Sequence, residues 1–592
     1  MFKRNHLYTL LLVLFLTPFN SFSSHLMGGE ITWTCDGSGN FIFRVKMYRD
    51  CNGVQGPPSI NLATNALTTS IHCPLVQQND ISPTGTGCPT CLNPMGFASA
   101  TEEFIYESAS INLPGTPPPF GWYFYYTDCC RNGAITNLAT GTGWFTLRAI
   151  MYPFAGAPSG CSDNSPQFAI SPTLALCSGD SVRFTHAAFD PDLDSLVYSW
   201  DSPLDSSAYP GIPYPFEAGY SATSPLPGLS QNPLNQPAIL DSGHGIISFL
   251  TYTTGSFVTV NKVQSYKCGQ LVSEVFREVQ MAIILCPIIN APFPTNNVAP
   301  IFSTGNEIES FTLVAGDTFF YAFNIADSNL TYSPSPTPQV VTINAFGSEF
   351  GSGFSSYNTG CPIVPCAILN NPTPFSSVIM AAEEMTWPTA CSHAGFTNGC
   401  LQHQRTFQFV FTAKDDFCPA NGMRHKSLLV SVTGPEIYAI GNDLAVSYPG
   451  VTLQWYLNGA PIPGATDTII TPTQSGIYTV MATTGGGCQM VSNTVSRTVS
   501  STQDFDNQAF YSVYPNPTIA GQQIQLLIKD FATGQQEINI HDLNGRLVKS
   551  YLIRLHNPTE HLVLDISGLV AGTYSFSITN SSGIHQKSFV IQ

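Results

Sequence analysis

The chain has 592 residues, of which 43% are hydrophobic and only 10% charged, and its formal net charge is −17. With 21 Lys+Arg and no basic cluster it cannot track a phosphate backbone by charge, which excludes nucleic-acid binding as a primary role. Its polarity comes from Ser, Thr and Asn, and 48 Gly and 45 Pro are scattered throughout. That is strand and turn chemistry, and it argues against long helices.

Residues 1–23 read as a signal peptide. Lys3 and Arg4 precede an apolar run from Leu7 to Leu16, Pro18 breaks it, and the small residues Ser21, Ser23 and Ser24 follow. The run is too short to span about 30 Å of hydrocarbon, and cleavage is expected near Ser23. All 17 cysteines lie beyond this leader. In an exported chain they should form disulfides, and the odd count leaves one thiol over.

A Cys-rich β domain is expected over 24–160. In Asn40–Tyr48 the residues Phe41, Phe43, Val45 and Met47 alternate with Ile42, Arg44 and Lys46, the period of a two-faced strand. Cys88 and Cys91, taken with Cys129-Cys130, lack the second gap a zinc knuckle needs. Disulfides are the expected reading, with different partners for Cys129 and Cys130.

Residues 161–288 and 289–433 read as tandem copies of one β-sandwich. Asp163–Phe168 corresponds to Asn296–Phe302, Gly179-Asp180-Ser181 to Gly316-Asp317-Thr318, and Asp190 to Asp327. The Pro/Gly/Ser-rich stretches Ser202–Gly245 and Ser333–Ala390 read as elaborated loops. On a strand, Asp190, Asp192 and Asp194 would project to one side. With Asp163 and Asn164, if the linker folds back, they form a candidate calcium site of hard oxygen ligands; the alternative is a solvated acidic turn. The third segment offers only Asp327, Ser328 and Asn329, so its site is expected to be lost. Asp415-Asp416 reads as a surface turn. Spacing suggests the pairs Cys161–Cys177, Cys268–Cys286, Cys361–Cys366 and Cys391–Cys400.

An immunoglobulin-like domain is expected over 434–500, with Trp455 in its core, a turn at Asn458-Gly459, and a tyrosine corner in Ser475–Val480. Its early strand Leu444–Ser447 has no cysteine to meet Cys488, which is therefore the predicted free thiol. Residues 501–510 form a polar linker. Residues 511–592 contain alternating strands and a hairpin turn at Leu543–Arg546.

That last segment resembles the type A C-terminal sorting domain of the type IX secretion pathway. The match is carried by Val513–Thr518, Ile540–Val548, Leu569–Tyr574 and the strand from Lys587. Within it the sorting-signal residues are Tyr514, Pro515, Asn516, Pro517, Asn544, Gly545, Gly572, Tyr574 and Lys587. The resemblance implies export across a bacterial outer membrane, with the secretion machinery and its sortase-like protease as partners. The mature chain would then be attached to surface lipopolysaccharide or released. Ser24–Trp33, Tyr48–Gly53 and Asp128–Asn132 are similar to the N-terminal region of large surface proteins associated with gliding bacteria. The tandem pair resembles cadherin-like or PKD-like domains in Asp163–Phe168 and Asp190–Asp194.

Neither a phosphate loop, nor HExxH, nor a nucleophile elbow is present. Glu102-Glu103 and Glu383-Glu384 are adjacent rather than opposed. The chain is therefore expected to be all-β, a tandem array of immunoglobulin-like or cadherin-like sandwiches with a small C-terminal sandwich. The expected role is that of a non-enzymatic surface adhesin or structural ectoprotein contacting glycans or proteins. The alternative is a secreted glycan-binding or glycan-hydrolysing protein.

Overall fold

The protein is described from a computed structural model. It covers residues 26–94, 100–129, 131–139, 143–155, 160–161, 163–172, 175–205, 211–288, 296–303, 306–332, 336–394, 404–446, 452–484, 489–499, 510–519, 521, 523–529, 531, 533–543, 545–580 and 583–592. The expected leader lies outside these residues. Among them there is no α-helix, and no helix is long and apolar enough to cross a membrane. The chain divides into two compact units, with the division falling between Arg497 and Thr498.

The N-terminal strands are β1 (Leu26–Cys35), β2 (Phe41–Asp50), β3 (Ser59–Thr64), β4 (Ile71–Asp80), β5 (Thr101–Glu107), β6 (Trp122–Asp128) and β7 (Phe145–Met151). In β2 the expected alternation holds. Phe41, Phe43, Val45 and Met47 point into the core, and Phe43 meets Phe124 with ring centroids 4.4 Å apart. The strands hydrogen-bond in the order β1-β2-β5-β4-β3-β6-β7, so the ring needs one more strand to close.

The closing strand comes from the next segment. Residues 161–288 contribute β8 (Gln167–Phe168), β9 (Ala175–Cys177), β10 (Ser181–Thr185), β11 (Ala188–Phe189), β12 (Ser195–Asp201), β13 (Gln236–Leu240), β14 (Ile246–Leu250), β15 (Gly255–Lys267) and β16 (Gln270–Ile284). One edge of β16 pairs with β15 along its whole length. Its other edge pairs with β7 through Ser273–Val275, with β1 through Glu278 and Val279, and with β9 in parallel through Ala282–Ile284. A single strand thus closes a barrel and forms the middle of a sandwich, and one continuous sheet crosses the expected boundary at residue 160.

Local sequence explains how β1 enters this position. Gly28 has φ +149°, and a Cβ there would lie 2.1 Å from the Glu278 carbonyl oxygen. At Gly29 a Cβ would lie 2.5 Å from the Lys46 oxygen. The paired glycines let two backbones approach closely. Beside them, fully buried Arg277 donates to Glu30 at 2.6 and 3.1 Å and to Tyr48 Oη at 3.2 Å, and lies 4.0 Å from the Phe168 ring. Arg131 pairs with Glu278 and donates to the Leu204 carbonyl at 2.8 Å.

Residues 289–433 supply β17 (Ile301–Phe302), β18 (Ile308–Val314), β19 (Thr318–Ala326), β20 (Leu330–Tyr332), β21 (Pro336–Pro338), β22 (Val340–Phe346), β23 (Ile368–Leu369), β24 (Phe375–Val378), β25 (Met380–Pro388), β26 (Gln404–Lys414) and β27 (Met423–Thr433). The two segments share a strand order. β9 lies parallel to β16 as β18 does to β27; β16-β15-β12 matches β27-β26-β22, and β10-β14-β13 matches β19-β25-β23. The stretch Ser333–Ala390 is not a loop, since it contains β21 to β25. In β25 alternate residues Ala381, Glu383, Met385 and Trp387 are buried, a period-2 pattern that the surrounding Pro, Gly and Ser concealed.

The disulfides correct the spacing rule. Cys361–Cys366 forms as expected, but Cys161 pairs with Cys35, and Cys286 pairs with Cys177 rather than Cys268. Cys51 bonds Cys91, and Cys88 bonds Cys418 across 330 residues. Cysteines adjacent in the fold pair, however far apart they lie in the chain. Cys129, Cys268 and Cys391 are also disulfide-bonded, while Cys130 and Cys400 lie outside the described residues. The third segment packs on the second through Arg424–Asp180 at 2.7 Å and Arg183–Glu307 at 2.9 Å.

In the fourth segment Trp455 is fully buried and its indole donates to the Asp467 carbonyl at 2.8 Å. Tyr478 Oη donates to the Gln474 carbonyl at 2.7 Å, the expected corner. The C-terminal unit is a sandwich of two sheets. One contains Phe510–Tyr514, Gln523–Lys529 and Glu560–Asp565. The other contains Leu547–Leu555, Gly534–Asp542, Gly572–Asn580 and Gly583–Ile591. Its core, including Ile528, Ile540, Phe576 and Phe589, is drawn only from its own residues.

Candidate functional sites

The predicted acidic residues do converge, because the linker folds back. Trp33 N–H and Oγ of Ser165 are 2.9 Å apart, Cys35 N–H donates to Asn164 Oδ1 at 2.8 Å, and the Cys35–Cys161 bond closes the same seam. Asn164 in turn donates its backbone and side-chain N–H groups to Asp192 Oδ2 at 2.6 and 3.0 Å. Asp190 accepts from Asp192 N–H at 2.8 Å and from Ser265 Oγ–H at 2.8 Å.

Sequence reasoning missed the residue at the centre. Lys267, the last residue of β15, donates to Asp163 Oδ1 at 2.6 Å and lies 3.5 Å from Asp194 Oδ2. Its only signal was a lysine just before the Cys268-Gly269 turn. Burial opposes its charge, but the Asp163 hydrogen bond and the neighbouring carboxylates hold it above the usual ammonium range. Burial pushes Asp190 well above the usual carboxylate range, and the charges of Asp194 and Asp163 add to this. Burial also raises Asp163 and Asp194, against the pull of Lys267. Among the described residues no group of three or more His, Cys, Asp or Glu is arranged to hold a metal.

The acidic turn of the third segment is built alike. Asn329 N–H donates to Asp327 Oδ1 at 2.8 Å. Asp415, expected on the surface, is buried: it accepts from Asn297 Nδ2 at 2.6 Å and from the N–H groups of Phe417 and Gly422 at 3.0 and 2.7 Å. Burial pushes its pKa up to about 7. The adjacency of Asp415 and Asp416 hid the fact that only the second is partly exposed.

Between the second and third segments lies a cavity of about 700 Å³. Its walls include Asp194, His244, Phe346, Arg405, Phe407 and Gln408. Aromatic faces beside convergent polar groups at a domain junction are the usual build of a small-molecule site.

Cys488 lies outside the described residues; among those described the free thiol is Cys73. It is buried, and burial together with the Glu107 charge raises it to about 12, so it is not a reactive thiol.

Of the sorting-signal residues, Asn544 lies outside the described residues. The hairpin around it is present, with Asp542 N–H donating to the Arg546 carbonyl at 2.9 Å and Gly545 at φ +76°. Asn516 Oδ1 accepts from Val590 N–H at 2.9 Å, tying the Tyr514–Pro517 stretch to the last strand. Pro515 and Pro517 lie in that stretch, and Tyr514 is 71% exposed. Gly572 pairs with Ile591 and Lys587 with Phe576 on neighbouring strands. Tyr574 Oη donates to the Val570 carbonyl at 2.9 Å, a second tyrosine corner.

Fold and geometry define a tandem, disulfide-bonded β-sandwich protein that ends in a self-contained small sandwich. That last sandwich is a type IX secretion C-terminal sorting domain: residues 512–592 match the family described as "Secretion system C-terminal sorting domain". Such a domain implies export, a cell-surface or secreted location, and engagement of the type IX machinery. Over 267 residues, 42% of the chain, the sequence is 24% identical to integrin beta-like protein A of Dictyostelium discoideum. The chain spans 12% of that protein's length. Two solved structures are similar at low identity. "Structural basis for Dscam isoform specificity" is 10% identical, covering 72% of this chain and 99% of that one, with a TM-score of 0.12. "Crystal structure of Dscam1 isoform 6.44, N-terminal four Ig domains" is 11% identical, covering 73% and 100%, with a TM-score of 0.13. Scores this low carry no argument, and the architecture rests on the strand order above.

Proposed function

We propose that the protein is a non-enzymatic surface ectoprotein, an adhesin or structural element, delivered by its sorting domain and displayed outside the cell. The observation that carries this reading is the way the exported part is fastened. One strand serves both barrel and sandwich, and Cys88–Cys418 ties the first segment to the third. A covalently cross-linked scaffold suits a protein that must hold its loops in place outside the cell. Its partners on this reading are surface lipopolysaccharide after cleavage by a sortase-like protease, and glycans or proteins at the exposed loops. The test compares wild-type cells, cells lacking the protein, and cells making a chain without 512–592, for surface labelling and attachment. Loss of both in the truncated strain is expected; attachment unchanged in the null strain would sink the adhesin reading.

The cavity favours a second reading, a secreted glycan-binding or glycan-hydrolysing protein. Asp194, Arg405 and Gln408 beside Phe346 and Phe407 resemble the polar-and-aromatic lining that sugars use. A glycan array probed with the wild type and Phe346→Ala separates the readings: retention that the variant loses favours this one, and no retention removes it.

A further inference from the structure

A cation bound between domains is one way to stiffen a junction, and the acidic cluster stands where such an ion would sit. The donor set does not fit calcium. Ca²⁺ takes about 6–8 oxygens at roughly 2.3–2.6 Å. Here Asp192 Oδ2 already accepts two bonds from Asn164, and both Asp190 oxygens accept from Asp192 N–H and Ser265 Oγ–H. The Lys267 ammonium is 2.6 Å from Asp163 and 3.5 Å from Asp194. A second cation among the same carboxylates would meet that ammonium head-on.

We propose that Lys267 is the built-in cation of this junction, so that the joint between barrel and second sandwich holds without divalent ions. This rests on the reading of the chain as an exported scaffold and states how that scaffold is kept stiff. The third segment supports it independently. Phe168 pairs with Ala188, two residues before Asp190, and Phe302 pairs with Ile325, two before Asp327. Five residues before each phenylalanine stand Asp163 and Asn297. Asp163 meets Lys267 at the end of β15, and Asn297 meets Asp415 just after β26, each at 2.6 Å. β15 and β26 occupy the same place in the shared order. The same linker position is therefore fastened twice to the end of the same strand, once by carboxylate and ammonium, once by amide and carboxylate. Neither pairing needs a metal.

The test uses the full chain, unfolded by heat and nicked by a protease in the 161–167 linker, in chelator and in millimolar calcium chloride. Wild-type curves should coincide in both buffers. Lys267→Met should be cut about tenfold faster than wild type in chelator, because the junction opens locally more often, and Lys267→Arg should stay close to wild type. Calcium that raises the wild-type midpoint, or a Lys267→Met chain as resistant as wild type, would overturn the proposal. If Lys267→Met does not fold, the wild-type response to calcium and the arginine variant decide. No outcome depends on attachment, so the joint and the adhesin reading fail separately.

Discussion

Residues 26–160 and residues 512–592 are both all-β, yet they close their sheets in opposite ways. Among the described residues, the strands and core of the C-terminal sandwich come from within itself. The N-terminal barrel lacks a wall until β16 arrives from beyond residue 269, and the seam then buries Arg277 with Glu30 and Arg131 with Glu278. A sorting domain that the secretion machinery must engage gains from autonomy. A scaffold that must not come apart gains from shared strands, because separating its pieces exposes hydrogen-bond donors and uncompensated charge at once.

The sharpest way to break this contrast is to separate the pieces. A chain of residues 510–592 alone should fold cooperatively, with dispersed amide resonances. A chain of 26–160 should not, and adding residues up to 288 should restore it. A well-dispersed spectrum from 26–160 would show that β16 is dispensable.

Single glycines probe the same difference on a smaller scale. Gly28→Ala places a methyl 2.1 Å from a backbone oxygen of β16 at a φ of +149°, and neither backbone can yield without losing the pairing. The expected loss is above about 3 kcal/mol in denaturant unfolding of the N-terminal unit. Gly572→Ala meets nothing closer than 3.7 Å and should stay within about 0.5 kcal/mol. Equal costs would mean that the seam is looser than its geometry.

What the sequence made legible is what is local. Alternation in β2, the hairpin at Leu543–Arg546 and Cys361–Cys366 each depend on neighbours within a few residues. The convergence of Asn164 on Asp192 was readable only as a condition, that the linker fold back, with a solvated acidic turn as the alternative. The shared strand was not. The second half of β16 is apolar enough for a buried strand, but nothing in its hydrophobicity says that β16 has three partners on one edge. Long-range pairs such as Cys88–Cys418, and the choice of Lys267 to face the acids, arise from packing between segments. Period and spacing carry no trace of that packing.

Acid should weaken the N-terminal unit through a group the C-terminal sandwich lacks. His425 is fully buried, lies 3.4 Å from Thr185 N–H and packs against Phe184; burial lowers its pKa to about 3 from 6.5. The unfolded chain takes up the proton first. This contribution is therefore complete above pH 6.5 and is lost at about 1.4 kcal/mol per unit as pH falls toward 3. Asp415 acts oppositely: raised to about 7, it favours the folded state below 3.8 and loses that effect as pH rises through 7. The difference between wild type and His425→Gln, whose amide oxygen can still accept from Thr185, isolates the imidazole. Parallel stability curves for the two from pH 7 to about 4 would remove His425 from the account. In the C-terminal unit His541 is only half-buried and His556 and His561 are exposed, so they should not give its own curve this slope.

The smallest effect tests where the two regions agree. Tyr478 and Tyr574 make the same corner in different sandwiches, each Oη donating to a carbonyl four residues earlier, at 2.7 and 2.9 Å. Both rings are buried, so Tyr478→Phe and Tyr574→Phe each leave one carbonyl without its donor while keeping the packing. Such a bond contributes about 1 kcal/mol, and the orphaned carbonyl costs little more where water can reach it. Denaturant midpoints for the two units should therefore move by similar amounts. A much larger loss at Tyr478 would mean that the fourth sandwich draws on its neighbour's core. The route for such a loss is that Trp455, Tyr478 and Val480 belong to one apolar cluster with Phe407 and Leu428 of the third segment. A match between the two would place the difference between fused and self-contained regions in the shared strand and buried charges of the N-terminal seam, and not in the sandwiches themselves.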